Sequence, residues 1–243
     1  MSVAPPEYPF PLYQAPPPPS RSPKSREGIG APSLALWVGA RAGWDFPLGS
    51  AFRDRIGAVR PESSFVSSGP VLQIDLGARI ARRLVPFAFA ARTFASGGAA
   101  STIPSATPRQ GLPNEPPQGI VSEVASASST LVGLGMRYLF SPDDWGAAVE
   151  ISYAYRLTRA EFRDGTVYRA DAPGLLRLGA GLEVRVSRIV SVSPMLVASV
   201  GSYSDVTTQR PDGPERSVVA EVLTHGYVGL VLGGGFDLFS RWD

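Results

Sequence analysis

The sequence predicts an all-β protein: eight antiparallel strands in an up-and-down transmembrane β-barrel. Three observations carry that expectation. Apolar residues recur at every second position in eight separate segments, which is the period of a strand with two unlike faces. Most of these segments are about 9–13 residues long, beyond the five or six typical of soluble strands and enough to cross a bilayer at a tilt. The connections between them alternate between long and short, as a meander with all its long loops at one end requires.

The first segment, Ser33 to Gly49, sets Leu34, Leu36, Val38, Ala40, Ala42, Trp44 and Phe46 against Ser33, Ala35, Trp37, Gly39, Arg41, Gly43 and Asp45. The second, Val71 to Ala81, sets Leu72, Ile74, Leu76, Ala78 and Ile80 against Gln73, Asp75, Gly77 and Arg79. In the third, Pro86 to Phe94, the alternation assigns Phe87, Phe89 and Ala91 to the apolar face and Ala88, Ala90 and Arg92 to the other. Ser129 to Phe140 opposes Val132, Leu134, Met136, Tyr138 and Phe140 to Gly133, Gly135 and Arg137. Gly146 to Thr158 opposes Val149, Ile151, Tyr153, Tyr155 and Leu157 to Glu150, Ser152, Ala154 and Arg156.

The last three segments follow the same rule. Gly174 to Val186 alternates Leu176, Leu178, Ala180, Leu182 and Val184 with Arg177, Gly179, Gly181, Glu183 and Arg185. Val190 to Tyr203 alternates Val192, Leu196, Ala198 and Val200 with Ser191, Ser193, Ser199 and Gly201. Gly226 to Phe239 alternates Val228, Leu230, Leu232, Phe236 and Leu238 with Tyr227, Gly229, Gly233, Gly235 and Asp237. Short turns are expected around Arg82 to Val85, at SPDDW (Ser141 to Trp145) and near Ser187 to Ile189. The four long connections are Pro47 to Gly69, Ala95 to Ala125, Ala160 to Pro173 and Ser204 to Thr224.

Residues 1–32 form a separate region, rich in proline and containing PPPP, which is expected to be an extended linker unable to pack; residues 33–243 form the barrel. The linker lacks the apolar core of a signal peptide, so if the protein is exported its signal is expected upstream or already removed. With no cysteine and one histidine, the chain offers neither a disulfide scaffold nor a multi-histidine metal site, and no cofactor is expected. A net charge of +2 from 23 basic and 21 acidic residues gives no concentrated patch for nucleic acid.

The two faces decide which solvent each one meets. The apolar face carries no Asp, Glu, Lys or Arg, while the other carries Arg41, Asp45, Asp75, Arg79, Arg92, Arg137, Glu150, Arg156, Arg177, Glu183, Arg185 and Asp237. A soluble lipocalin-like barrel would bury the first and show the second to water. A membrane barrel would do the reverse, and three features favour it. The charged face is rich in glycine, which weakens a water-exposed strand but suits a crowded lumen. The strands are long enough to span. Aromatic residues gather near strand ends as interfacial girdles do: Trp44, Phe46, Tyr138, Phe140, Trp145, Tyr153, Tyr155, Phe236 and Phe239. Charges of both signs in a lumen this narrow should pair, leaving it closed.

From Ser33 to Phe239 the chain resembles small eight-stranded outer-membrane β-barrels of the OmpA/OmpX-like kind. GGGFDLF resembles their aromatic-ended assembly signal, although Ser240 to Asp243 follow it. The resemblance implies a Gram-negative outer membrane, short turns, both termini and the linker on the periplasmic side, and four long extracellular loops. It further implies contact with outer-membrane lipid and lipopolysaccharide, insertion by the barrel assembly machinery, and a monomer. Arg53, Arg55 and Arg60 in the first long loop are candidates for touching lipopolysaccharide.

A non-enzymatic structural or surface-interaction role follows, with a lipid A-modifying enzyme or a narrow pore as other readings. The enzyme reading would need His225 beside a serine, yet Tyr227 stands where the lipid A deacylase pattern has its serine. His225 is therefore expected to be a solvated loop histidine.

Overall fold

The computed structural model describes residues 29–54, 59–96, 101–103, 120–122, 124–211, 213–214, 216–217 and 219–242. Eight long strands form a closed ring: β1 Leu34–Asp54, β2 Gly69–Ile80, β3 Leu84–Ser96, β4 Val124–Leu139, β5 Trp145–Phe162, β6 Val167–Arg185, β7 Val190–Ser202 and β8 Thr224–Arg241. Each pairs antiparallel with its chain neighbour, and β8 closes on β1 in a register running from Gly49↔His225 to Leu34↔Arg241. Closure leaves no free sheet edge, which any strand structure in lipid requires.

The outward face is apolar across the middle of the barrel wall. Leu72, Ile74 and Leu76 on β2, Val132 and Leu134 on β4, and Leu230 and Leu232 on β8 all project outward and are exposed. The soluble alternative is thereby excluded, because the side chains that would have to fill its cavity are on the outside. Trp145, Tyr138, Phe140 and Phe236 lie near the short-turn end; Trp44, Phe46, Tyr153 and Tyr155 lie near the other, and all eight are exposed. Trp145 and Tyr155 are ten residues apart on β5. At about 3.3 Å per residue and a tilt of about 45° that is roughly 23 Å, close to the apolar band of a membrane barrel.

Phe239 breaks the alternation. Its φ of 49° places it in the left-handed region, next to a register shift opposite Leu34–Leu36, so Leu238 and Phe239 both turn outward and Phe239 is 90% exposed. Beyond it the strand continues through Ser240 and Arg241, which are part of the barrel wall.

Two expectations need correction. On β3 the faces are reversed: Val85, Phe87, Phe89, Ala91 and Thr93 point inward, and Ala88 and Arg92 point outward. Arg92 is therefore not a lumen charge. Space is the reason. Phe87 and Phe89 lie over Gly135 and Gly133 of β4, where a Cβ would come within 2.7 Å of either ring. The glycines make room inside for two aromatic rings, and alanines suffice on the lipid side. The second correction concerns the connection read as Ala160 to Pro173. Both strands continue through it and turn only at residues 163–166, where Phe162 donates its N–H to Thr166 O at 2.9 Å and Gly165 takes φ 80°.

The upper end is thickened into a collar. Asp205–Gln209 pairs with the extension of β6, and Val59–Pro61 and Val219–Val222 pair with the end of β1. At the opposite end Ala31 donates its N–H to Pro142 O at 2.6 Å and accepts from Arg82 Nε at 2.9 Å. The stretch just before β1 is thus held against the short turns. Residues 1–28, which include most of the Pro-rich region, lie outside the described residues.

Candidate functional site: the lumen and its upper lid

The lower lumen is built from inward positions of six strands. Asp75 accepts from Arg41 Nε at 2.8 Å; Arg41 then grips Glu150 with both Nη atoms at 2.6 Å. Glu150 accepts from Arg137 Nη2 at 2.8 Å, and Arg137 Nη1 reaches Glu183 at 3.5 Å. Glu183 accepts from Arg79 Nη2 at 2.9 Å, Arg79 Nε donates to Asp237 at 2.8 Å, and Asp237 is closed off by Arg185. Four arginines and four carboxylates thus alternate in sign along one unbroken ladder, every member buried.

Aromatic rings pack between these charges. Arg137 lies over Trp37 at 4.8 Å, Arg41 over Phe87 at 5.7 Å and Arg177 over Phe89 at 5.1 Å. The ladder is electrically balanced and fully hydrogen-bonded at most positions, which is what allows ions to persist in a water-poor interior.

Above the ladder the lumen holds a cavity of about 20 Å³, bounded by Asp45, Thr93, Arg156, Arg177, Ser199 and Tyr227 among others. Asp45 accepts from Thr93 Oγ1 at 3.1 Å, and Arg177 donates to Gln73 Oε1 at 2.7 Å. A space of that size admits one ordered water or two, not a stream of them.

The first long loop closes the upper mouth. Its short helical turn, Glu62–Ser64, directs Glu62, Phe65 and Val66 inward, each 2% exposed or less. Phe65 stacks on Tyr168 at 4.3 Å between ring centres and on Phe52 at 5.5 Å. Glu62 Oε1 accepts from Tyr227 at 2.5 Å and from Tyr203. Burial pushes the Glu62 carboxyl above its ordinary range, and the two tyrosines and the Arg156 charge pull it part of the way back. Arg156 stacks on the Tyr227 ring at 3.5 Å.

His225 belongs to this lid. It is 1% exposed and stacks on Tyr203 at 4.0 Å, so the expected solvated loop histidine is instead a buried one. The reason is the collar, which raises the barrel wall above the first residues of β8. Neither ring nitrogen has a hydrogen-bond partner among the described residues, and no nucleophile–base pair forms around it.

Of the predicted lumen charges, Arg41, Asp75, Arg79, Arg137, Glu150, Arg156, Arg177, Glu183, Arg185 and Asp237 are buried inside, and Asp45 is half-buried beside the cavity. Glu62, Tyr168 and Tyr203 were missed. Their one sequence signal is an apolar pair, Phe65–Val66, within an otherwise polar loop. Arg53 pairs with Glu221 at 3.0 Å on the exposed collar, and Arg55 lies outside the described residues.

A closed ring of eight strands, apolar outside and charged within, matches solved structures. Neisserial surface protein A aligns with a TM-score of 0.51 and 11% identity over 84% of this chain and 99% of its own. The chain has the fold of a small outer-membrane β-barrel. A major outer membrane protein of Thermus thermophilus aligns at TM-score 0.47 and 12% identity, covering 84% of this chain and 98% of its own. The outer membrane protease OmpT of Escherichia coli aligns at 0.42 and 8%, covering 85% and 95%. In sequence, no family model and no curated protein matches the chain. A likeness at 11% identity shows the fold alone, so function has to be argued from the residues of this chain.

Proposed function

We propose that the protein is a non-conducting, non-enzymatic barrel of a Gram-negative outer membrane, and that its exposed collar and loops are its working surface. In this reading the short turns and the Pro-rich region face the periplasm, and the collar faces outward. The single observation that carries the reading is the unbroken ladder from Asp75 to Arg185, capped by Glu62 and Phe65. A barrel so filled has given up its lumen as a route. What remains for interaction is the outside: the apolar wall for lipid and the raised rim for the environment.

The test has two arms. Outer-membrane fractionation with heat-modifiable gel migration examines location; a freely soluble monomer overturns it. Planar-bilayer recording examines conduction. The pure protein is expected to give no step conductance in molar KCl, and reproducible openings would overturn the closed lumen.

A further inference from the structure

The reversed faces of β3 leave an unusual feature on the membrane side. Its outward positions Ala88 and Ala90 are small, while their direct partners are large: Leu76 and Leu134 flank Ala88, and Ile74 and Val132 flank Ala90. Those four walls stand well exposed, Ile74 at 67% and Leu134 at 69%. With neighbouring strands about 4.8 Å apart, the walls are roughly 9.6 Å apart across the alanine floor, a channel for one polymethylene chain.

The channel ends at a charge. Arg92, the next outward residue of β3, is eight residues above Leu84, as Tyr153 of the upper girdle is above Trp145. Its guanidinium lies over the Phe94 ring at 5.5 Å and, among the described residues, has no carboxylate partner. Its cross-strand partners are Leu72 and Thr130, neither of which carries charge. A cation on the lipid face costs about 2–4 kcal/mol at the midplane and close to nothing at the interface, where it can reach a headgroup. The position of Arg92 fits the second case, and a guanidinium there with no carboxylate partner among the described residues matches a phosphate.

We propose that the outer face of β3 seats a phosphorylated, acylated glycolipid of the outer leaflet, one acyl chain in the Ala88–Ala90 channel and a phosphate on Arg92 beside Thr130. The inference rests on the outer-membrane reading above. It assigns a lipid site to the strand on which two small outward residues, Ala88 and Ala90, lead up to an outward arginine, and it explains why that arginine is tolerated on this face.

The experiment is native mass spectrometry of the full-length protein, extracted from outer membranes and incubated with purified lipid A or with phosphatidylcholine. Wild type is expected to retain lipid A in preference to phosphatidylcholine. Arg92→Ser, which removes the cation, and Ala90→Trp, which fills the channel, should each lower retention roughly tenfold. Both residues face away from the lumen, and unchanged heat-modifiable migration verifies that each variant folds. If either folded variant retains lipid A as wild type does, or if phosphatidylcholine is held equally well, the proposal is overturned. A wild type that carries no lipid A and runs as a dimer, made monomeric by Ala90→Trp, overturns it in favour of a second copy on this face. Failure of the location reading is seen separately, as absence of wild type from the outer-membrane fraction before any lipid is added.

Discussion

Arg41 holds Glu150 through both terminal nitrogens at 2.6 Å while its Nε holds Asp75 at 2.8 Å, so one guanidinium joins three strands across the lumen. Arg137 reaches the same Glu150 from a fourth strand at 2.8 Å. Glu150 is therefore the point where the ladder is most heavily shared. Replacing it with glutamine leaves two buried arginines facing a neutral amide. Breaking a buried pair costs about 3–5 kcal/mol, more than a buried pair adds relative to apolar residues of the same shape. Glu150→Gln should lower stability by about that amount in urea unfolding from lipid vesicles, whereas Arg53→Gln on the exposed collar should cost well under 1 kcal/mol.

The same shared carboxylate bears on conduction. Glu150→Ala removes side-chain volume as well as charge, next to the cavity side of the ladder. Openings absent from wild type should then appear in planar bilayers. An equally silent variant would mean that Trp37, Phe87 and the lid block the lumen without help from the charges.

Glu62 makes the upper lid sensitive to pH. Burial raises its folded pKa above the unfolded value, so the folded state binds the proton more tightly. The resulting contribution is fully present below the ordinary carboxyl range and is lost as pH rises through the raised folded value. Tyr168, Tyr203, Tyr227, Arg156 and His225 surround it, and Arg156 is the one fixed positive charge among them. Amide exchange in the Glu62–Val66 segment should therefore be slower in acid than at neutral pH, after correction for intrinsic rates. Glu62→Gln should flatten that dependence; a variant that keeps it would assign the effect to another group.

Packing predicts a fourth outcome. Gly135 sits directly across from Phe87, and a Cβ there would lie 2.7 Å from both Phe87 Cζ and Ser152 Cβ. Gly135→Val should cost about 1–3 kcal/mol through overpacking. Combining it with Phe87→Leu should recover part of that loss, and strictly additive losses would show that the ring and the glycine are not coupled.

Much of this was legible in the sequence because the side-chain period of a strand is two and a membrane barrel leaves each face in one solvent. Leu72, Ile74 and Leu76 could be placed beside Gln73 and Asp75 by alternation alone. The rule failed on β3 for a physical reason. Every residue from Pro86 to Ala91 is apolar, so hydrophobicity cannot tell the faces apart, and the choice falls to volume against Gly133 and Gly135 on a strand about 45 residues away. Glu62 and His225 escaped because the collar that buries them is made by segments without periodicity. Their burial is a tertiary fact, created when the first loop folds into the mouth and the wall rises around the start of β8.

The turn between β2 and β3 gives the last prediction. Ala81 and Arg82 have φ of 48° and 64°, two consecutive non-glycine residues in the left-handed region, and Arg83 donates its N–H to Ile80 O at 3.3 Å. The two lie in a three-residue connection, Ala81 to Arg83, closed by the Ile80↔Leu84 pair, at positions where a hairpin normally selects Asn or Gly. Each such residue costs roughly 1 kcal/mol. Arg82 offsets its share by donating to Ala31 O at 2.9 Å and lying 3.5 Å from Asp143. Ala81 has no side chain with which to do so. Ala81→Gly should therefore stabilise the barrel by up to about 1 kcal/mol, since relief of the left-handed strain exceeds the added freedom of the unfolded chain. Arg82→Gly should gain nothing net, because it relieves the same strain while releasing the segment before β1. Urea midpoints for the two variants, measured side by side, separate the outcomes: equal shifts would mean that the Arg82 contacts contribute nothing to holding that end closed.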